Sequence, residues 1–241
     1  MRTGFRVLIA SSILMAAAPS VAADETNVGL TRNPSSLSDS ELGARLRFLE
    51  DRLDDGEKWA KYWQWGWTGG YAAGMVYGTG RAIAVDQAKN RVNHIVTAVK
   101  STIGTTRLLL WRHPGRNGAD SMRAVTGDSR EAKLARLSEG ESVLQAVAKR
   151  AERRWDWRSH AGNIGLNFAG AAFIFGFGHD SDAWESLGVG IGVGTINILT
   201  APKRGIQDLS DYQTRFGMKT ASRFNWTIVP TMSGAALQIT F

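Results

Sequence analysis

Imidazole, carboxylate and hydroxyl groups fall together once in this chain, at His179-Asp180-Ser181-Asp182, a donor set that suits a divalent cation. A polar hairpin turn uses the same letters, and it is the reading we adopt. Gly127-Asp128-Ser129 would offer a nucleophilic serine, but it stands directly before an amphipathic run, where such residues cap helices. His94, His113 and His160 are scattered, without a paired ligand at helical spacing. The P-loop, HExxH and G-x-S-x-G patterns are absent, and so is cysteine. The sequence therefore predicts no catalytic residue, no metal site and no cofactor.

What the chain concentrates is tryptophan and glycine. Trp59, Trp63, Trp65 and Trp67, with Trp155 and Trp157, form a candidate aromatic surface. A membrane interface or a sugar-stacking face would use them, and so would groove packing between helices. Glycines at 66, 70, 74 and 78 keep a strict spacing of four. On a helix Gly66, Gly70, Gly74 and Gly78 would form one groove without Cβ atoms, into which a second helix could pack closely. Gly162, Gly170 and Gly178 repeat the pattern, with Gly188 and Gly192 as a facing seam. Each helical glycine costs about 1 kcal/mol relative to alanine, a loss that close contact must offset. SLGVGIGVG also alternates with period two, as a strand would. The helical pattern that continues through ILTAPKRGIQDLSDYQTRF, with Pro202 as a break, favours helix.

The elements that would position these residues come in two similar sets. Ser38-Asp39-Ser40-Glu41 is a capping box, followed by Leu42, Leu46, Leu49 and Leu53 on one stripe. Asp128 and Glu131 start an equivalent helix carrying Leu134, Leu137, Leu144, Ala148, Ala151 and Trp155. Gly56 and Gly140 are points where either helix could bend. Ala44-Arg45-Leu46 matches Ala135-Arg136-Leu137, and Trp63-Gln64-Trp65 matches Trp155-Asp156-Trp157. Ile103-Gly104-Thr105 matches Val193-Gly194-Thr195 in the same order. The expected fold is mainly α: two related glycine-rich helical hairpins in a four-helix arrangement, residues 42–115 and 134–205 within a helical domain of 38–220. A flexible segment, 24–37, precedes it.

Met1 to Ala23 reads as a cleaved secretory signal, with Arg2 and Arg6 before an apolar stretch and Val21-Ala22-Ala23 before Asp24. Its removal leaves 27 basic against 22 acidic residues, a mildly basic exported chain held together without disulfides. No compact basic cluster with interleaved aromatics appears, so nucleic acid is not an expected partner. His160–Gly178 spans 19 residues and Ser186–Ala201 spans 16 without formal charge when His160 is neutral, which makes the second hairpin a candidate for membrane association.

Asn225 to Phe241 reads as a short C-terminal β-hairpin about Ser233-Gly234. Its alternating apolar residues and terminal Phe241 resemble the closing strand of outer-membrane barrel proteins. That resemblance implies a Gram-negative envelope. A barrel is not expected, since the remaining chain lacks alternating strands. The sequence thus predicts a non-catalytic structural or interaction protein of the cell envelope, periplasmic or outer-membrane associated. Its partner would be the envelope membrane or another envelope protein. The alternative is a module that binds lipid or another hydrophobic ligand.

Overall fold

The computed structural model describes residues 30–31 and 34–217, with the backbone of Asn225–Thr231 and Gly234–Thr240. Residues 1–23, read from the sequence as a secretory signal, lie outside the described residues. The Ser38 hydroxyl accepts the Glu41 N–H at 3.2 Å and caps α1, Asp39–Ala84. Glu41 does not reach back to Ser38 but holds Arg45, at 2.7 Å from its Nη2. α1 passes through Gly56 and Trp63-Gln64-Trp65 and, at 46 residues, extends about 70 Å. It returns as α2, Ala88–Leu110, and the Arg91 guanidinium closes the turn on the Val85 carbonyl at 2.9 Å.

The second half begins with α3, Gly118–Arg123, and α4, Arg130–Trp155. Ser129, not Asp128, caps α4: its hydroxyl accepts the Ala132 N–H at 3.2 Å. Where α1 runs straight through Trp63-Gln64-Trp65, the matching Trp155-Asp156-Trp157 breaks the helix. Asp156 is extended, and its carboxylate caps α5, Trp157–Phe177, by accepting the Arg158 N–H at 2.8 Å. Gln64 is too long for that role; its amide donates to the Leu108 carbonyl at 2.5 Å and its oxygen accepts the His113 N–H at 3.0 Å.

α6, Asp180–Leu199, contains the alternating glycines as helix, and α7, Arg204–Arg215, follows the break at Pro202. α7 buries Gly205, Asp208 and Tyr212 and leaves Ile206 exposed. The backbone of β1, Asn225–Thr231, pairs antiparallel with β2, Gly234–Thr240, from Asn225 opposite Thr240 to Thr231 opposite Gly234.

Three apolar clusters hold the helices. The leucine stripe of α1 meets Met122 of α3, Leu137 and Leu144 of α4, and Tyr212 of α7. Gly140 is a contact in this bundle rather than a bend, since a Cβ there would lie 2.7 Å from Met122 Sδ. Val96 of α2 packs with Ala171 and Ile174 of α5 and Ala183 and Leu187 of α6 near the hairpin tips. Trp63, Leu108 and Ala201 form the third cluster, where the hairpins join the bundle. Thr31 and Leu37 of the 24–37 segment are tied to the bundle, Thr31 through Glu141 and Leu37 through the main cluster.

His113 sits at that junction, buried, with its ring edge toward Trp63. Its Nδ1 accepts the Gly115 N–H at 3.1 Å, a bond only an unprotonated Nδ1 can make. Burial, reinforced by nearby Arg150, pulls the pKa from 6.5 to about 4. A base whose folded pKa lies below its unfolded value keeps its full stability above pH 6.5 and loses it as pH falls toward 4. The full difference is about 3 kcal/mol. His113→Gln is expected to flatten this limb, seen as a smaller fall in the urea midpoint between about pH 7 and pH 4.5 than in the parent protein.

Candidate functional site

The structure divides the predicted glycine seam. Gly78 meets backbone: a Cβ there would lie 2.6 Å from Ala98 N and 2.8 Å from His94 O of α2. Gly74 faces the Ser101 hydroxyl in the same hairpin. Gly104, which the seam did not include, lies under the Tyr71 ring. Gly170 brings α5 against Val96 of α2, and Gly178 ends α5 against Ile174 and the Lys89 carbonyl. Gly66, Gly70, Gly162, Gly188 and Gly192 have open space where a Cβ would sit, so they are not packing positions. The α5–α6 contact instead uses Gly190 and Gly194, whose missing Cβ atoms make room for Asn167 and Asn163.

The tryptophans do not form one surface. Trp63 is buried and donates to the Asn197 carbonyl at 3.3 Å. Trp67 is half-buried against Tyr71 and donates to the Thr200 hydroxyl at 3.1 Å. Trp155 is half-buried beneath the Lys203 ammonium. Trp59, Trp65 and Trp157 are exposed. The first three thus secure the base of the hairpins, and only the last three face outward.

Between the hairpins lies a cleft of about 720 Å³, walled by α1 and α2 on one side and α5 and α6 on the other. Gly70, Gly74, Gly104 and Gly162 belong to its lining, and Gly70 and Gly162, predicted as packing positions, widen a cavity instead. Trp63, Trp67 and Tyr71 line the base, with Ile103, Leu166, Val189 and Val193 along the walls. The tip cluster around Val96 and Ile174 joins the hairpins beyond it.

The cleft also holds cations. The Lys100 ammonium donates to the Ser186 hydroxyl at 2.9 Å and carbonyl at 3.2 Å, and to Asn167 Oδ1 at 3.1 Å. Burial pulls its pKa below the usual lysine range. Asn167 is held in turn by Asn163, whose amide donates to the Ile191 carbonyl at 3.1 Å. This chain of bonds gives the buried ammonium three neutral acceptors and fixes α5 to α6. Arg107, Arg150 and Arg154 line the base of the same cleft.

No family model, curated protein or solved structure matches this chain.

The remaining candidates keep structural roles. His179 precedes α6 and its Nε2 pairs with Asn90 Oδ1 at 2.8 Å, while Asp180 and Asp182 stand in the first helical turn. Among the described residues, no group of three His, Cys, Asp or Glu side chains is placed to hold a metal ion. Likewise, no helix among them is long and apolar enough to cross a membrane.

Sequence reasoning passed over Asn163, Asn167, Gly190, Gly194, Lys100 and the three arginines. Their signal was present: two asparagines four apart within an apolar run, and a lysine midway along a glycine-bearing helix. Gly188 and Gly192 share the spacing of Gly190 and Gly194, but two residues turn a helix by about 200°, so the pairs face opposite ways. Spacing alone did not choose between them.

Proposed function

We propose that this protein is a non-catalytic binding component of the Gram-negative envelope, and that the cleft between its two hairpins holds an elongated, partly apolar ligand. The observation that carries this reading is the cleft itself. Its volume of about 720 Å³ falls within the range of small-molecule sites, and aromatic and aliphatic walls surround a few fixed polar groups, as such sites require. The signal-like sequence at 1–23 supports export. The shared order of elements, an amphipathic helix followed by a hairpin, supports an origin of the two halves by duplication.

A second reading, assembly with another envelope protein, draws on different residues. Trp59, Tyr62 and Trp65 stand three apart on α1 and are 53%, 71% and 56% exposed, an outward aromatic strip that a partner would cover. Solvent extraction of the mature protein purified from its host separates the two. Lipid at about one molecule per chain supports the binding reading, while a stoichiometric protein partner with an empty cleft supports assembly.

A further inference from the structure

Several arginines of this chain are ion-paired, and among the described residues those that line the base of the cleft are not. Arg45, Arg52, Arg123, Arg130 and Arg204 each have a carboxylate within 4 Å. Arg107 of α2 and Arg150 and Arg154 of α4 have none among the described residues. Arg150 gives one N–H to the Trp111 carbonyl at 3.1 Å. Arg154 Nε is buried without an acceptor, and its guanidinium lies 5.8 Å from the centre of the Trp63 ring. Burial pulls both pKa values below the usual arginine range, with repulsion from Arg107 next, and Arg154 falls to about 10. Among the described residues Glu185 is the single acid lining the cleft, and it is exposed, beside Ser186. Lys100 is a separate case, since its ammonium already has three acceptors.

Gathering like charges, two of them desolvated, is unfavourable, and an oxyanion relieves it by bidentate, charge-assisted hydrogen bonds that the guanidinium fork matches. Beside the fork stand Trp63, Trp67 and Tyr71, and from Arg107 the cleft follows α2 to Asn93, about 21 Å at the helical rise. We propose that Arg107, Arg150 and Arg154 seat the carboxylate or phosphate head of an anionic amphiphile whose apolar chain lies along the cleft between the hairpins. This inference rests on the cleft being a binding site.

The test is a binding titration of the delipidated mature protein, read by tryptophan fluorescence, with four probes: oleate, oleoyl lysophosphatidate, mono-oleoylglycerol and inorganic phosphate. Both charged amphiphiles are expected to bind about tenfold or more tighter than the uncharged glyceride. The double variant Arg150→Gln/Arg154→Gln should lose that preference while its glyceride affinity stays unchanged. Arg107→Gln, at an exposed position, should reduce the preference several-fold and serves where the double variant does not fold. Equal binding of charged and uncharged probes, or a preference that survives these substitutions, overturns the proposal. Inorganic phosphate binding as tightly as lysophosphatidate also overturns it, since the chain would then contribute nothing. If no amphiphile binds, charged or uncharged, the cleft reading itself has failed.

Discussion

Glu141→Ala is expected to destabilise the protein by about 3–5 kcal/mol, the range for removing one partner from a buried charged network. Glu141 is 1% exposed at the centre of the helical bundle. Its carboxylate accepts the Thr31 N–H at 3.1 Å and hydroxyl at 2.5 Å, and the Tyr212 hydroxyl at 2.7 Å. Arg45 Nη1 lies 3.8 Å away and donates to the same Thr31 hydroxyl at 2.8 Å. One side chain thus joins α1, α4, α7 and the segment before α1. Burial and the Glu141 carboxylate push the Tyr212 pKa far up, which keeps its hydroxyl a donor. Alanine would leave Thr31 and Tyr212 without an acceptor and one buried cation less compensated. Urea unfolding checks this: Tyr212→Phe, which removes the hydroxyl's bonds to Glu141 and Arg45 but keeps the carboxylate, should cost about 2 kcal/mol. A loss below that for Glu141→Ala would show that the network adds little.

The second large effect is expected at Gly78. Leucine there would drive its Cβ into the Ala98 nitrogen and His94 carbonyl, both backbone of α2, so no rotamer change relieves the clash. Overpacking of this kind costs about 1–3 kcal/mol and more where backbone must move, and Gly78→Leu belongs at the upper end. Gly74→Ala meets only the Ser101 side chain, which can rotate away. Gly70→Leu enters open space and should be neutral, or stabilising by up to about 1 kcal/mol through helix propensity. Thermal melts in which Gly70→Leu and Gly78→Leu fall equally would contradict the contact geometry.

Helices were legible because their signals are local. Ser38 caps α1, Leu42, Leu49 and Leu53 bury one stripe, and the glycines of 188–194 lie within a helix as the flanking pattern implied. The pairing of faces depends on contacts between distant residues, which spacing does not encode. Gly66 and Gly70 continue the row of Gly74 and Gly78, yet only the latter pair meets α2; nothing lies within 4 Å of where a Cβ would sit at Gly66 or Gly70, and Gly70 lines the cleft. The site was harder still. Arg150 and Arg154 fall near the end of α4, and that they line a cleft together with Arg107 of α2 depends on three-dimensional neighbours. Asp156 shows the opposite case: one residue type, aspartate where the first half has Gln64, breaks a helix that otherwise continues.

The binding role of the cleft is tested most directly by filling it. Gly162 lines the cavity and has no atom within 4 Å of where its Cβ would sit, so a large side chain there occupies ligand space without disturbing a helix contact. Titration of Gly162→Phe with oleoyl lysophosphatidate, beside thermal melts of the unliganded proteins, is the decisive measurement. The cleft account predicts an affinity lower by about tenfold or more, an unliganded melting temperature within a few degrees of the parent, and loss of the ligand-induced rise in that temperature. A folded Gly162→Phe protein that binds the lysophosphatidate as tightly as its parent would contradict it.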